Sequence, residues 1–345
     1  MTLKGHQPTL LPRSEGDDRA RERRGSMSEQ LPRLDSNPQI RAELLPLCRL
    51  KSGEVWEDSA HGHRIGVLDS TDPDSLQALM GNHRANLAIN DPPYNIAVGN
   101  ANTRNLSKTD LPSYMSFSRK WVTAMLDVMA TDAHFYLWTG ADYRDNFQPL
   151  PDLMLMMRDF PTLTPKNFIT VRNQRGYGTQ DNWMWVRQEL LHYTIGRPGF
   201  RVVYTDIPKI LRGYYKRVNG NLTENMERSK SDTIRPGNVW VDIQQVFYRM
   251  EENVPGCYAQ KPLAAIRRLI ETSSDAGDVV VDGFAHSGAS LIAAEQLGRT
   301  AFTCDIDPVF AEVAIRRLER YRETGETGWK WRNPFPEISK NGSEA

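Results

Sequence analysis

Cysteine is scarce in this chain. Its three residues, Cys48, Cys257 and Cys304, stand far apart, with no C-x-x-C pair and no paired histidines, which excludes a disulfide framework and a zinc site of ordinary spacing. No metal is expected. Long apolar runs are lacking as well: none approaches the roughly 20 residues that cross a bilayer, and no apolar core separates the charged stretches at the amino terminus. Neither a membrane span nor a secretory signal is expected, and the cytoplasm is the expected compartment. Net charge is missing too, with 43 Lys and Arg against 43 Asp and Glu, so overall charge names no polyanionic partner. There is no internal repeat. No G-x-G-x-x-G follows a strand-like run, which counts against a dinucleotide cofactor such as NAD.

What the chain does have is alternation. Strand-length apolar runs such as "RIGVLD" (Arg64 to Asp69), "ANLAIN" (Ala85 to Asn90) and "HFYLWTG" (His134 to Gly140) alternate with helix-period segments, the pattern of a mostly parallel sheet covered by helices. One such segment sets Trp121, Val122, Met125, Leu126 and Met129 on one helical face. From Lys261 the alternation returns, with Leu263, Ile266, Leu269 and Ile270 facing inward, then the strand "DVVVDGF", a helix from about Ser290, the strand "TAFTCDI" and a helix through Phe310, Val313, Ala314 and Leu318. Between the two blocks the sequence is irregular, aromatic and basic. From Pro151 to Arg235 it holds 14 Lys and Arg against 8 Asp and Glu, as expected of a part that faces a polyanion. Residues 1–40 lack an apolar period and predict a disordered arm. "NPFPEISKNGSEA" predicts a loose tail.

Two stretches carry chemistry. "NDPPYN" (Asn90 to Asn95) follows a buried strand directly, so Asp91 is delivered to the carboxyl edge where open α/β sheets bind ligands. Two successive prolines fix the backbone there and donate no hydrogen bonds. Asp69, at the end of "RIGVLD", is a second acid on the same edge. In the other block, "DVVVDGFAHSGAS" is an apolar strand, a turn with Gly283 and Gly288, and a helix start whose amides favour a carboxylate or phosphate. About twenty residues on, Asp305 ends the next strand, where an acid accepts hydrogen bonds from ribose hydroxyls. Together these read as a nucleoside cofactor site.

"DPPYN" resembles the catalytic motif of S-adenosylmethionine-dependent amino-methyltransferases that act on the exocyclic nitrogen of adenine or cytosine in DNA. "DVVVDGFAHSGAS" with "GRTAFTCDIDPVF" resembles their cofactor region, and "YAQKP" and "GNVW" resemble two smaller family strings. The catalytic motif precedes the cofactor motif, which is the permuted order of the β class. Methyltransferases of protein glutamine or RNA that use a similar Pro-Pro-Tyr string generally have the reverse order. The resemblance implies a Rossmann-like α/β fold with an arm over 1–40, a catalytic half over 41–142, a target-recognition insert over 143–235, a cofactor half over 236–322 and a tail over 323–345. It implies Asp91, Pro92, Pro93 and Tyr94 in catalysis, and Asp69, Lys261, Asp282, Phe284, Ser287, Gly288 and Asp305 around S-adenosylmethionine. Lys261 and the helix-start amides would receive the cofactor's carboxylate. Double-stranded DNA is the implied partner, contacted by Arg172, Arg175, Arg187, Lys216 and Arg217 with Tyr177, Trp183, Trp185, Tyr214 and Tyr215 among them. A cognate restriction endonuclease and a homodimer are compatible with it. Asp before Pro-Pro-Tyr leans to adenine N6, while Ser leans to cytosine N4; cytosine N4 is the alternative, and a non-catalytic DNA-binding relative a further one. Three departures stand out: His286 where the family has Gly, Asp305 for Glu, and Leu68 for the Gly before Asp69.

Overall fold

The computed structural model describes residues 34, 37–94, 109–140, 149–177, 183–208, 214–225, 231–243, 246, 250–330 and 332–339. In chain order its elements are α1 (Pro38–Leu44), β1 (Val55–Glu57), β2 (Arg64–Val67), α2 (Pro73–Met80), β3 (Ala85–Asn90), α3 (Leu111–Asp127), β4 (Met129–Thr139), α4 (Pro149–Met157), β5 (Thr164–Tyr177), β6 (Trp185–Ile195), β7 (Tyr214–Val218), β8 (Asn221–Asn225) and β9 (Val239–Trp240), then α5 (Leu263–Ser273), β10 (Val279–Asp282), α6 (Ala289–Leu297), β11 (Thr300–Asp305), α7 (Pro308–Thr324) and α8 (Pro336–Ser339). Three of the helices begin alike. Asp72, Asp110 and Asp307 each accept a first-turn amide hydrogen at the N-cap, with a proline in the next two positions, so α2, α3 and α7 start where the sequence dictates. Among the described residues no helix is long and apolar enough to cross a membrane.

Among the described residues, nine strands form one sheet in the order β1-β2-β11-β10-β3-β4-β6-β5-β9. From β2 to β4 the strands run parallel, so their carboxyl ends share one edge. The two strands from late in the sequence, β10 and β11, sit between the two early ones, β2 and β3. That interleaving is what brings the distant halves of the chain to one edge. Alternation then sorts side chains to two faces: Val279 and Val281 pack with α2, α3 and α4, while Val280 packs with α5, α6 and α7.

Three sequence boundaries shift. The arm expected over 1–40 yields part of itself to the fold, since Leu34 is buried with Leu44, Val254, Phe310 and Phe335 and α1 begins at Pro38; residues 1–33 lie outside the described residues. The tail expected over 323–345 is also anchored. Trp329 and Phe335 are buried in that same small core, and the Arg316 guanidinium lies 4.5 Å from the Phe335 ring centroid. Single aromatics in polar company are diluted in any composition window, yet each can bury a large apolar area. The insert expected over 143–235 is narrower than that: β6 pairs antiparallel with β4 and β5 with β6, burying Ile169, Val171, Leu190 and Leu191. The described residues after Ile195 and before Val239 lie outside the large sheet, with β7 and β8 as a separate hairpin.

Candidate active site

Four neighbouring strands deliver four acids to the carboxyl edge. Asp69 follows β2, Asp305 ends β11, Asp282 ends β10 and Asp91 follows β3. A cavity of about 520 Å³ opens there, a size that suits a cofactor. Asp91, Pro92, Pro93 and Tyr94 line it, as do Asp69, Lys261, Phe284 and Asp305. Asp282, Ser287 and Gly288 stand behind its wall and shape the loop instead. The Asp282 carboxylate accepts from the Phe284 amide at 2.9 Å and from the Ser290 hydroxyl at 2.6 Å. Ser287 gives its carbonyl to the buried Arg317 guanidinium at 2.8 Å. Gly288 has φ +72°, and a Cβ there would meet the Ala314 Cβ at 2.9 Å, so both conformation and space require glycine.

The proline loop is held at both ends. Asn90, fully buried, donates to the Tyr136 carbonyl at 3.3 Å, and the Tyr114 hydroxyl donates to the Pro93 carbonyl at 2.9 Å. Asp91 itself has a partner on each oxygen: the Tyr94 hydroxyl donates to Oδ1 at 2.8 Å and the Lys261 ammonium to Oδ2 at 2.6 Å. Burial and the neighbouring Asp91 charge hold the Tyr94 hydroxyl well above its ordinary pKa, so it stays a donor.

Across the cavity, the Asp305 carboxylate accepts from the His286 amide at 2.9 Å and the Asp307 amide at 3.0 Å. Burial outweighs those bonds and raises its pKa to about 7; burial likewise lifts Asp282 to about 6. His286 takes φ +44°, so histidine keeps the left-handed backbone that glycine would adopt freely, at a cost on the order of 1 kcal/mol. Its ring meets the Phe310 ring edge-to-face at 4.6 Å, and both line the cavity.

The family model for DNA methylases acting at N6 and N4 matches residues 85–316. This chain belongs to the DNA methylase family. It is similar to the Type II methyltransferase M.HpaI of Haemophilus parainfluenzae, 27% identical over 233 residues that cover 68% of each chain. A shorter likeness, 40% identical over 86 residues and covering 24% of this chain and 28% of the other, is to the DNA adenine methyltransferase YhdJ of Escherichia coli K12. Among solved structures, the cytosine-N4-specific PvuII DNA methyltransferase superposes with a TM-score of 0.52 over 78% of this chain and 89% of its own, at 12% identity. That likeness is one of fold.

Other residues of this methylase line the cavity that sequence reasoning did not find: Arg41, Tyr258, Ile306 and Asp307. Tyr258 and Ile306 are 61% and 69% exposed and present apolar surface to the cavity. An apolar residue between two acids in "CDIDP" was the available signal. Arg41 carried none, for it acts from α1 by pairing with Asp307, with Nη2 donating to Oδ1 at 3.0 Å and Nη1 to Oδ2. Of the expected DNA contacts, Arg172 and Arg187 are exposed and directly opposed across β5 and β6, while Arg217 is exposed on β7. Arg175 and Lys216 lie on β5 and β7, with side chains outside the described residues.

Proposed function

We propose that this methylase transfers a methyl group from S-adenosylmethionine to the exocyclic N6 of adenine in duplex DNA, on a base flipped out of the helix. One observation carries the reading: the carboxylate of Asp91 and the carboxylate of Asp305 line the same cavity, so an amine acceptor and a ribose acceptor share one space. The residues present fit S-adenosylmethionine. Asp305 is a half-buried acceptor for ribose hydroxyls, Phe284 and Ile306 offer apolar faces to an adenine ring, and the loop after β10 is kept thin by Gly283, whose missing Cβ would stand 3.1 Å from Ser70 Cβ. When bound, this cofactor supplies an electrophilic methyl.

The chain's own residues then do two things. Asp91 and the Pro92 carbonyl accept the hydrogens of the amine out of the plane of the base, which withdraws its lone pair from the ring and frees it for attack. Tyr94 offers its ring to the flipped base, and stacking on the order of 1–3 kcal/mol offsets part of the unstacking cost of a few kcal/mol. Rigid prolines and the Tyr114 bond keep both acceptors still, so the rate gain comes from positioning and fixed dipoles.

Adenine is favoured by Asp before Pro-Pro-Tyr and by the likeness to an enzyme named as an adenine methyltransferase. Cytosine N4 is the second reading; the fold likeness to a cytosine-N4 enzyme is compatible with it. Mass spectrometry of nucleosides from the DNA of an expressing host tests the choice. N6-methyladenine is expected, and N4-methylcytosine alone would reject adenine while leaving DNA methylation intact.

A further inference from the structure

Lys261 stands immediately before Pro262, the N-cap residue of α5, and only 7% of it is exposed. A buried ammonium is tolerated when it is paired in good geometry. Its partner is Asp91, from the other half of the chain, at 2.6 Å. The ammonium also lies 5.3 Å from the ring centroids of both Tyr94 and Trp138, within cation–π range. The sequence suggested a receiver for the cofactor's carboxylate; the geometry gives the ammonium a carboxylate of the protein's own.

The two partners of Asp91 differ in what base entry does to them. Tyr94 must lay its ring along the base, which takes its hydroxyl off Oδ1 and frees that oxygen for an amine hydrogen. Lys261 has no such motion to make, since Pro262 and α5 fix its backbone and two aromatic faces flank its head. We infer that Lys261 is a positioning residue: it holds Asp91 by Oδ2 so that Oδ1 alone faces the amine. The inference rests on the reading of Asp91 as the amine acceptor.

The test uses the full chain with S-adenosylmethionine and duplex DNA. Lys261→Met keeps the apolar stem and removes the charge. Displacing a reacting group by about 1 Å costs on the order of a hundredfold in rate, so single-turnover methyl transfer at saturating cofactor and DNA should fall by about that factor. Cofactor Kd, measured by calorimetry, should stay within about threefold, which also reports that the variant is folded. Lys261→Arg should recover part of the rate. A cycle with Asp91→Asn gives a second, independent readout: if Lys261 acts through Asp91, adding Lys261→Met to Asp91→Asn costs little more. A large rise in cofactor Kd with an unchanged saturated rate would overturn the inference in favour of a carboxylate receiver. Additive losses in the cycle would overturn it too. Absence of methyl transfer by the wild-type protein is a different result, and it strikes the proposed function itself.

Discussion

At the scale of single residues, this site keeps its acids under strain of charge. Asp305 sits at about 7 and Asp282 at about 6 because burial penalises their ionised forms. A carboxyl whose pKa is higher folded than unfolded binds protons more tightly in the native state, so the unliganded protein should lose stability as pH rises from about 4 through about 7. Function runs the other way. Ribose hydroxyls are donors and need an ionised acceptor; if only that form binds, apparent affinity scales with the ionised fraction. Cofactor Kd should therefore weaken about tenfold from pH 8 to pH 6 and level off above pH 8, and Asp305→Asn should flatten the profile while weakening binding throughout. Calorimetry across that range checks it, and a flat wild-type profile would remove Asp305 from the ribose contact. Residue identities at this scale were legible where a string fixed them, as "NDPPYN" fixed Asp91 and Tyr94. The partner of Lys261 and the role of Arg41 were not, because an ion pair between distant elements leaves no spacing in the sequence.

At the scale of elements, the decisive piece is the pair β5 and β6. Strand β4 ends at Thr139, opposite Glu189, so the stretches around Arg172 and Arg187 continue past it on the carboxyl edge, the side of Asp91. Like charges directly opposed in an antiparallel pair repel. Glu189, buried, pairs with Arg187 at 3.1 Å, which offsets that repulsion. Replacing Arg172 and Arg187 together by Ala should weaken DNA binding about equally across sequences and reduce the slope of log affinity against log salt by about 2. Affinities between 50 and 200 mM salt would show it; an unchanged slope would take this hairpin out of the DNA interface. The insert expected over 143–235 took in both strands. What the sequence lacked was the partner: membership of a sheet is decided by β4, and pairing across the chain is not written in local period.

At the scale of the whole molecule, the permuted order is resolved by interleaving. Strand β3 matches its expected span residue for residue, "ANLAIN", because a buried strand bounded by prolines has no freedom at its end. Its neighbour in space is β10, from the opposite end of the sequence, and the cavity exists only because those two meet. The ends of the chain lean on the same region. Leu34, Phe310 and Phe335 share a core, and the Phe310 ring in turn packs on that of His286, so residues expected to be loose buttress the loop in which histidine replaces the family's glycine. In the proposed function, this cavity brings an amine held by Asp91 to the methyl of S-adenosylmethionine. The most direct test is transfer of a labelled methyl group from S-adenosylmethionine to duplex DNA by the wild-type chain and by Asp91→Ala, with cofactor affinity measured on both. Wild-type transfer is expected, with a loss on the order of a thousandfold or more in the variant and cofactor binding retained within a few-fold; transfer that survives the substitution would contradict the role of Asp91.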